Sequence, residues 1–151
     1  MTLYGKLETD VEIKVPADKF HELFSSRPHH VSRASPHIVQ ACKLHEGDYG
    51  KPGRIVIWSY VHDGKAKTAK ELIEAIDEEK NSITFRVLEG DILDEYKSFV
   101  VTFQVTPNDT GNVVHWTFEY EKLSEEVAHP ETLLQLAVDV SKDIEAHLIT
   151  A

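Results

Sequence analysis

The stretch PETLLQLAVDVSKDIEAHLI, Pro130 to Ile149, decides how the rest of the chain is read. Leu133, Leu136, Ala137, Val140, Ile144 and Leu148 recur at offsets of three and four, so they share one stripe of an amphipathic helix. Asp139, Lys142, Asp143 and Glu145 fall off that stripe. Pro130 suits the first helical position, where a missing N–H costs nothing. His129 is a poor N-cap, which leaves the start of the helix open. A lone apolar helix face must be covered, and the short alternating segments upstream supply a sheet. The expected class is therefore α+β.

Working outward, Leu3 to Val15 alternates: Leu3, Leu7, Val11, Ile13 and Val15 against Lys6, Glu8, Asp10, Glu12 and Lys14. That pattern is a half-buried strand. Pro16 opens a short helix with Phe20, Leu23 and Phe24 as its apolar stripe, ended by Arg27-Pro28. His29 to Ser35 reads as a second short helix, stopped by Pro36. Neither can stand alone, so packing must hold both. Ile38 to Leu44 reads as a strand, and Glu46 to Arg54 is dense in turn formers. In the strand Arg54 to Val61, Val56, Trp58 and Tyr60 share one face. Asp63-Gly64 is a hairpin signal.

Lys65 to Lys80 is in conflict with its surroundings. Ala69, Leu72, Ile73 and Ile76 have helical spacing, and the Ala, Lys, Glu and Leu content favours helix. The hairpin turn before it favours strand. Ser82 to Leu88, Tyr96 to Thr106 and Val114 to Glu121 then alternate, with turns at Glu89-Gly90-Asp91 and Pro107 to Gly111. Short strands joined by brief turns imply an antiparallel meander.

Bulk properties narrow the function classes. At 151 residues the expectation is a single domain over 1–151. A net charge of −10 repels phosphate backbones and anionic headgroups, which argues against nucleic acid and membrane partners. One cysteine, Cys42, excludes a disulfide within the chain and favours a reducing compartment. MTLYGKLETD carries no leader-like apolar run, so the expected location is the cytoplasm. No segment approaches the ~20 apolar residues of a membrane span. Asn108-Asp109-Thr110 matches a glycosylation sequon and is read as a turn.

Several ordered pieces together resemble the plant major latex proteins, a branch of the birch-pollen-allergen and pathogenesis-related superfamily, which is START-like. They are GKLETDV near the start, EGDYGKPGRIVIWSY from Glu46 to Tyr60, and Asp63-Gly64-Lys65. Lys70-Glu71 with Ile76-Asp77, Glu89-Gly90-Asp91, Tyr96-Lys97-Ser98-Phe99 and Tyr120-Glu121-Lys122 continue the series. The resemblance covers essentially the whole chain. It implies a helix-grip fold, in which a curved antiparallel sheet of seven strands wraps the long final helix over two short helices in a V. It makes Lys65 to Asp77 a strand, against its propensity, an override that tertiary context can impose. It also implies an apolar cavity for a small hydrophobic ligand of steroid, lipid or phenolic size, and a role in plant defence or stress. Two departures stand out. The final helix ends close to Ala151, which implies a more open mouth. Tyr49 and Lys51 interrupt the denser glycine pattern of the allergen branch.

The inward sheet face would comprise Val56, Trp58, Tyr60, Ile83, Phe85, Val87, Phe99, Val101, Phe103, Val114, Trp116 and Phe118. Phe24, Ala137, Val140 and Ile144 face it from the helices. Taken as a pattern, such a face is usually a filled core. The resemblance turns it into a ligand-binding lining, with Tyr60 and Trp116 offering polar handles. The alternative is an enzyme on the same scaffold, an isomerase or cyclase of a plant secondary metabolite, with His30, Glu95 or Tyr96 as its base. No catalytic residue is assigned. A third possibility is an interaction module with a vestigial pocket.

Nucleotide binding is disfavoured, because Gly50-Lys51 is followed by Pro52 and a strand rather than by the Ser or Thr that opens a helix in a phosphate loop. Nine histidines invite a metal, yet His21-Glu22 and His45-Glu46 each lack the second His of a zinc helix, and no metal or other cofactor is expected. His29 and His30 are expected as solvated residues near the cavity entrance. Cys42 and His45 fall on opposite faces of a strand, which leaves Cys42 as packing.

Overall fold

The structure is a computed structural model and describes residues 3–48 and 51–150. Tyr49 and Gly50 of the glycine-rich turn, Met1 and Thr2, and the terminal Ala151 lie outside those residues. In chain order the elements are β1 (Tyr4–Ile13), α1 (Ala17–Ser25), α2 (Val31–Ala34), β2 (Val39–Glu46), β3 (Ile55–His62), β4 (Lys65–Asp77), β5 (Ser82–Gly90), β6 (Tyr96–Asn108), β7 (Gly111–Lys122) and α3 (Glu131–Thr150). Two 3-10 turns, Pro28–His30 and Asp91–Asp94, complete them.

The strands form one seven-stranded antiparallel sheet in the order β1-β7-β6-β5-β4-β3-β2. It is a meander except at one place, where β1 pairs with the last strand, Thr9 opposite Trp116 and Val11 opposite Val114. The sheet wraps α3, which packs mainly against β1. This is the helix-grip arrangement.

β4 is a strand along its whole length, so the helical propensity of Lys65 to Lys80 is overridden. Pairing on both sides supplies its backbone partners. The helical spacing has a local cause. Register shifts interrupt the β4–β5 ladder between Lys70 and Glu71 and between Ile73 and Ala75. The first adds its extra residue to β5, so Ala69, Glu71 and Ile73 still alternate; the second adds one to β4 and breaks the alternation there. Ala69, Ile73 and Ile76 all reach the core side at offsets of four and three. The Asp63-Gly64 hairpin forms as read: Asp63 has φ 52° and Gly64 φ 73°, the pair of positive values that a two-residue turn of the right twist requires.

The second short helix is shorter than its sequence implied. Pro28–His30 is a 3-10 turn, and only Val31–Ala34 is α-helical. Val31 is fully buried, and Ser35 Oγ donates to Asp143 Oδ2 of α3 at 2.6 Å, so packing and one polar tie hold this element. β6 runs on to Asn108 through the segment read as the start of a turn. The α3 hydrogen-bond ladder starts from the Pro130 carbonyl, which accepts from Leu134 N–H at 3.0 Å.

Three further ties fasten α3 at its C-terminal half. Glu145 accepts from the Lys14 backbone N–H at 2.6 Å, Lys142 Nζ donates to the Glu12 carbonyl at 2.7 Å, and buried Ser141 Oγ accepts from the Trp116 indole at 2.9 Å. Its N-terminal turn is tied by Thr132 to His62, 2.8 Å apart, at the end of β3. Below the sheet, Arg54 is 1% exposed and its guanidinium donates to the Phe24 carbonyl at 2.8 Å, fixing the C-terminal end of α1.

Candidate functional site

Between the sheet and α3 lies a cavity of about 140 Å³. From the sheet, Trp58 and Tyr60 of β3, Ala69 and Glu71 of β4, Phe85 of β5, Phe99 and Val101 of β6, and Trp116 and Phe118 of β7 border it. α3 contributes Leu133, Leu136, Ala137 and Val140; Phe24, Val31, Val39 and Ile92 close the ends. Leu133 and Leu136 belong to the apolar stripe yet stay half-buried, because they border an open space rather than packed atoms. A second hollow, of about 290 Å³, shares Leu136 and is bounded by Ile38, Val61, His62, Asp63, Thr132, Gln135 and Asp139.

Ten of the sixteen residues read as ligand-lining meet at this cavity: Phe24, Trp58, Tyr60, Phe85, Phe99, Val101, Trp116, Phe118, Ala137 and Val140. The other six are Val56, Ile83, Val87, Phe103, Val114 and Ile144, which are buried but do not border it. Phe103 shows why. Its ring sits 5.5 Å from Phe20, 5.1 Å from Phe24 and 5.1 Å from Trp116, so aromatic neighbours fill the space a guest would need.

Glu71, the single carboxylate on the wall, went unread in the sequence. It is half-buried, on a wall that faces the cavity. Burial pushes its carboxyl up to about 7, against a downward pull from the hydrogen bond with Trp58. The signal was alternation: once Ala69 faces inward on a strand, Glu71 does too. Assigning helical periodicity to this segment hides it.

Tyr60 is the other polar feature of the wall. It is 7% exposed, and its hydroxyl has no hydrogen-bond partner among the described residues. Burial, then the charges of Glu71 and Asp91, push its phenol well above the ordinary tyrosine value. Trp116, the other expected handle, is already used, since its indole donates to Ser141.

The three residues considered as a base lie elsewhere. Glu95 is exposed, and His30 is half-buried at the end of the 3-10 turn, held below the ordinary histidine value by burial and then by Arg33. Tyr96 is buried and donates to the Ala128 carbonyl at 2.6 Å. None of the three borders the cavity. His29 and His30 are half-buried, with rings 4.3 Å apart, rather than solvated. Cys42 is buried and His45 exposed; burial, then the Glu71 charge, raises the Cys42 thiol far above its usual range, with Arg54 opposing. A thiol so disposed is not a thiolate nucleophile. Among the described residues no group of three or more His, Cys, Asp or Glu side chains is placed to hold a metal ion. No helix among them is long and apolar enough to cross a membrane.

Comparison with known proteins gives a consistent result. The family model for the pathogenesis-related protein Bet v 1 family matches residues 2–151. MLP-like protein 28 of Arabidopsis thaliana is 65% identical over 98% of this chain, which spans only 45% of that relative's length. MLP-like protein 43 of the same plant is 62% identical, with 98% of this chain and 95% of the relative covered. Among solved structures, ginseng major latex-like protein 151 from Panax ginseng superposes with a TM-score of 0.93 at 49% identity, covering 96% of this chain and 97% of the other.

Proposed function

The chain belongs to the Bet v 1 family of pathogenesis-related proteins, among its major latex members, and on that premise we propose that it binds and carries a small hydrophobic molecule in the cavity between sheet and α3. The supporting observation is the void itself, bordered almost wholly by apolar side chains. At about 140 Å³ it is close to the ~150 Å³ of an apolar cavity that holds benzene, and below the ~300–1,000 Å³ of drug-sized sites. One or two fused rings match it as it stands. A steroid-sized guest extends past Leu136 into the second hollow. Residues 1–151 act as one ligand-binding unit in the cytoplasm, and a role in plant defence or stress belongs to the same reading.

The test is native mass spectrometry of the protein purified from its own tissue, paired with NMR titration of the bare protein by small apolar probes. A co-purifying hydrophobe and saturable shifts at Val101, Phe118 and Val140 are the expected result. Absence of both overturns the reading. A carboxyl that ionises near neutrality is also what a general acid–base needs, so the same samples are assayed for conversion of whatever binds. Turnover moves the assignment from carrier to enzyme.

A further inference from the structure

The cavity wall is not uniformly apolar, and its two oxygen-bearing side chains, Tyr60 and Glu71, stand on the neighbouring strands β3 and β4. In the β3–β4 ladder Val56 lies opposite Glu71, Trp58 opposite Ala69 and Tyr60 opposite Lys67. Glu71, Trp58 and Tyr60 all border the void; Glu71 and Tyr60 stand two inward-facing positions apart on this ladder with Trp58 between them, and the Glu71 charge acts on the Tyr60 phenol. The Trp58 N–H is taken up by the Glu71 carboxyl. The Tyr60 hydroxyl, buried on that wall, has no partner among the described residues. Across the void α3 presents Leu133, Leu136, Ala137 and Val140, and α1 presents Phe24, none of which can accept its proton. A buried hydroxyl left without a partner is costly unless something arrives to satisfy it.

We propose that Tyr60 and protonated Glu71 form a two-donor cradle for the carbonyl oxygen of an otherwise apolar guest, a cyclic or aryl ketone. The inference rests on the cavity-binding reading above and adds the chemical class of the guest. A carbonyl oxygen set against Glu71 can accept a hydrogen bond only from the neutral acid, so binding it favours the protonated form. That shift starts from a carboxyl which burial already holds near neutrality. A neutral carboxyl has an O–H to give, as does the phenol. A ketone oxygen has two lone pairs and no proton, so it accepts from both. An anionic guest would be taken out of water onto a wall with no cationic side chain, and is rejected.

The groups around Glu71 agree with this. β2 presents the Cys42 thiol, whose proton is held tightly, with Arg54 acting on that thiol. β3 presents Trp58 and Tyr60, and Asp91 after β5 acts on Tyr60. β5 places Val87 opposite Glu71, while Arg86 pairs with Glu74 at the surface. Lys70 pairs with Glu89, 4.0 Å away. Binding of a ketone is therefore accompanied by uptake of a proton by the ionised fraction of Glu71.

The probes are indane and 1-indanone, which differ by one carbonyl oxygen, titrated into the full chain by NMR at about pH 6 and about pH 8.5. Indane is expected to bind equally at both. The ketone is expected to bind about tenfold more weakly at the higher pH, where Glu71 is ionised. Glu71→Gln, whose amide N–H donates at any pH, removes that dependence, and Tyr60→Phe weakens the ketone about fivefold and indane not at all. Indane binding together with a ketone affinity that is flat or rises with pH overturns the cradle and leaves the cavity reading intact. If neither probe binds the native chain at either pH, both are overturned. The native-chain comparison decides without either variant.

Discussion

The two halves of the sheet's inner face are built from the same residue types and both border the cavity, yet they treat their polar atoms differently. At the β1-β7-β6 side, Tyr120 and Phe99 stack at 5.9 Å, Phe99 meets Phe118 at 5.2 Å, and Phe103 is wedged among Phe20, Phe24 and Trp116. The polar tips there are answered by protein: Tyr120 pairs with His129 Nδ1 at 2.5 Å, Tyr96 with the Ala128 carbonyl, Trp116 with Ser141. At the β3-β4 side, the Tyr60 hydroxyl has no such answer and Glu71 borders a void. Apolar burial alone does not separate a core from a binding cavity. The accounting of polar atoms does, because protein that exists only to be packed leaves few buried donors orphaned.

That contrast can be broken in three ways. The largest effect is expected at the filled side. Phe103→Ala is fully buried among rings and should lose about 3–5 kcal/mol of unfolding free energy, whereas Leu136→Ala, which already borders empty space, should lose about 1–2 kcal/mol. Urea denaturation of both variants checks this; equal losses would mean that the two halves are packed alike.

Next is Glu71. An acid whose native value is raised from 4.5 to about 7 opposes folding wherever the unfolded chain has released a proton that the native chain retains. Stability is therefore lost as pH rises through that window and stays lost above it. Glu71→Gln should match the native chain near pH 4.5 and exceed it by about 2–3 kcal/mol near pH 8. Denaturant midpoints at the two pH values measure it, and a variant that is less stable at the higher pH would show the carboxylate to be stabilised in place.

The smallest effect compares two hydroxyls. Tyr120→Phe removes a satisfied bond and should cost about 1 kcal/mol, while Tyr60→Phe removes an orphan and should cost nothing or stabilise slightly. Thermal melts of the pair separate them. A matching loss at Tyr60 would reveal a partner for its hydroxyl and remove the distinction between the halves.

How much of this was legible depended on whether the signal was periodic or geometric. The α3 stripe and the inward sets of β3, β5, β6 and β7 follow from spacing alone, since burial of one face enforces it. β4 did not, because a bulge between Ile73 and Ala75 adds a residue to the strand, so that its inward positions Ala69, Ile73 and Ile76 are spaced like those of a helix. Glu71 was lost for the same reason, a charged side chain that looks solvated until the strand is known. The split between Val101, which borders the void, and Phe103, two residues on, which does not, has no sequence signature. It is set by how close Phe20, Phe24 and Trp116 come.

The pairing of β1 with β7 has a kinetic consequence. β1 leaves the ribosome first, and its register partner follows about a hundred residues behind, which at ~5–20 residues per second is a wait of about 5–20 s. Until then β1 is an unpaired edge, and α3, which packs on β1, has no seat. Closure is the long-range step on which assembly waits. The wall that α3 adds to the cavity is seated only once β1 has met β7.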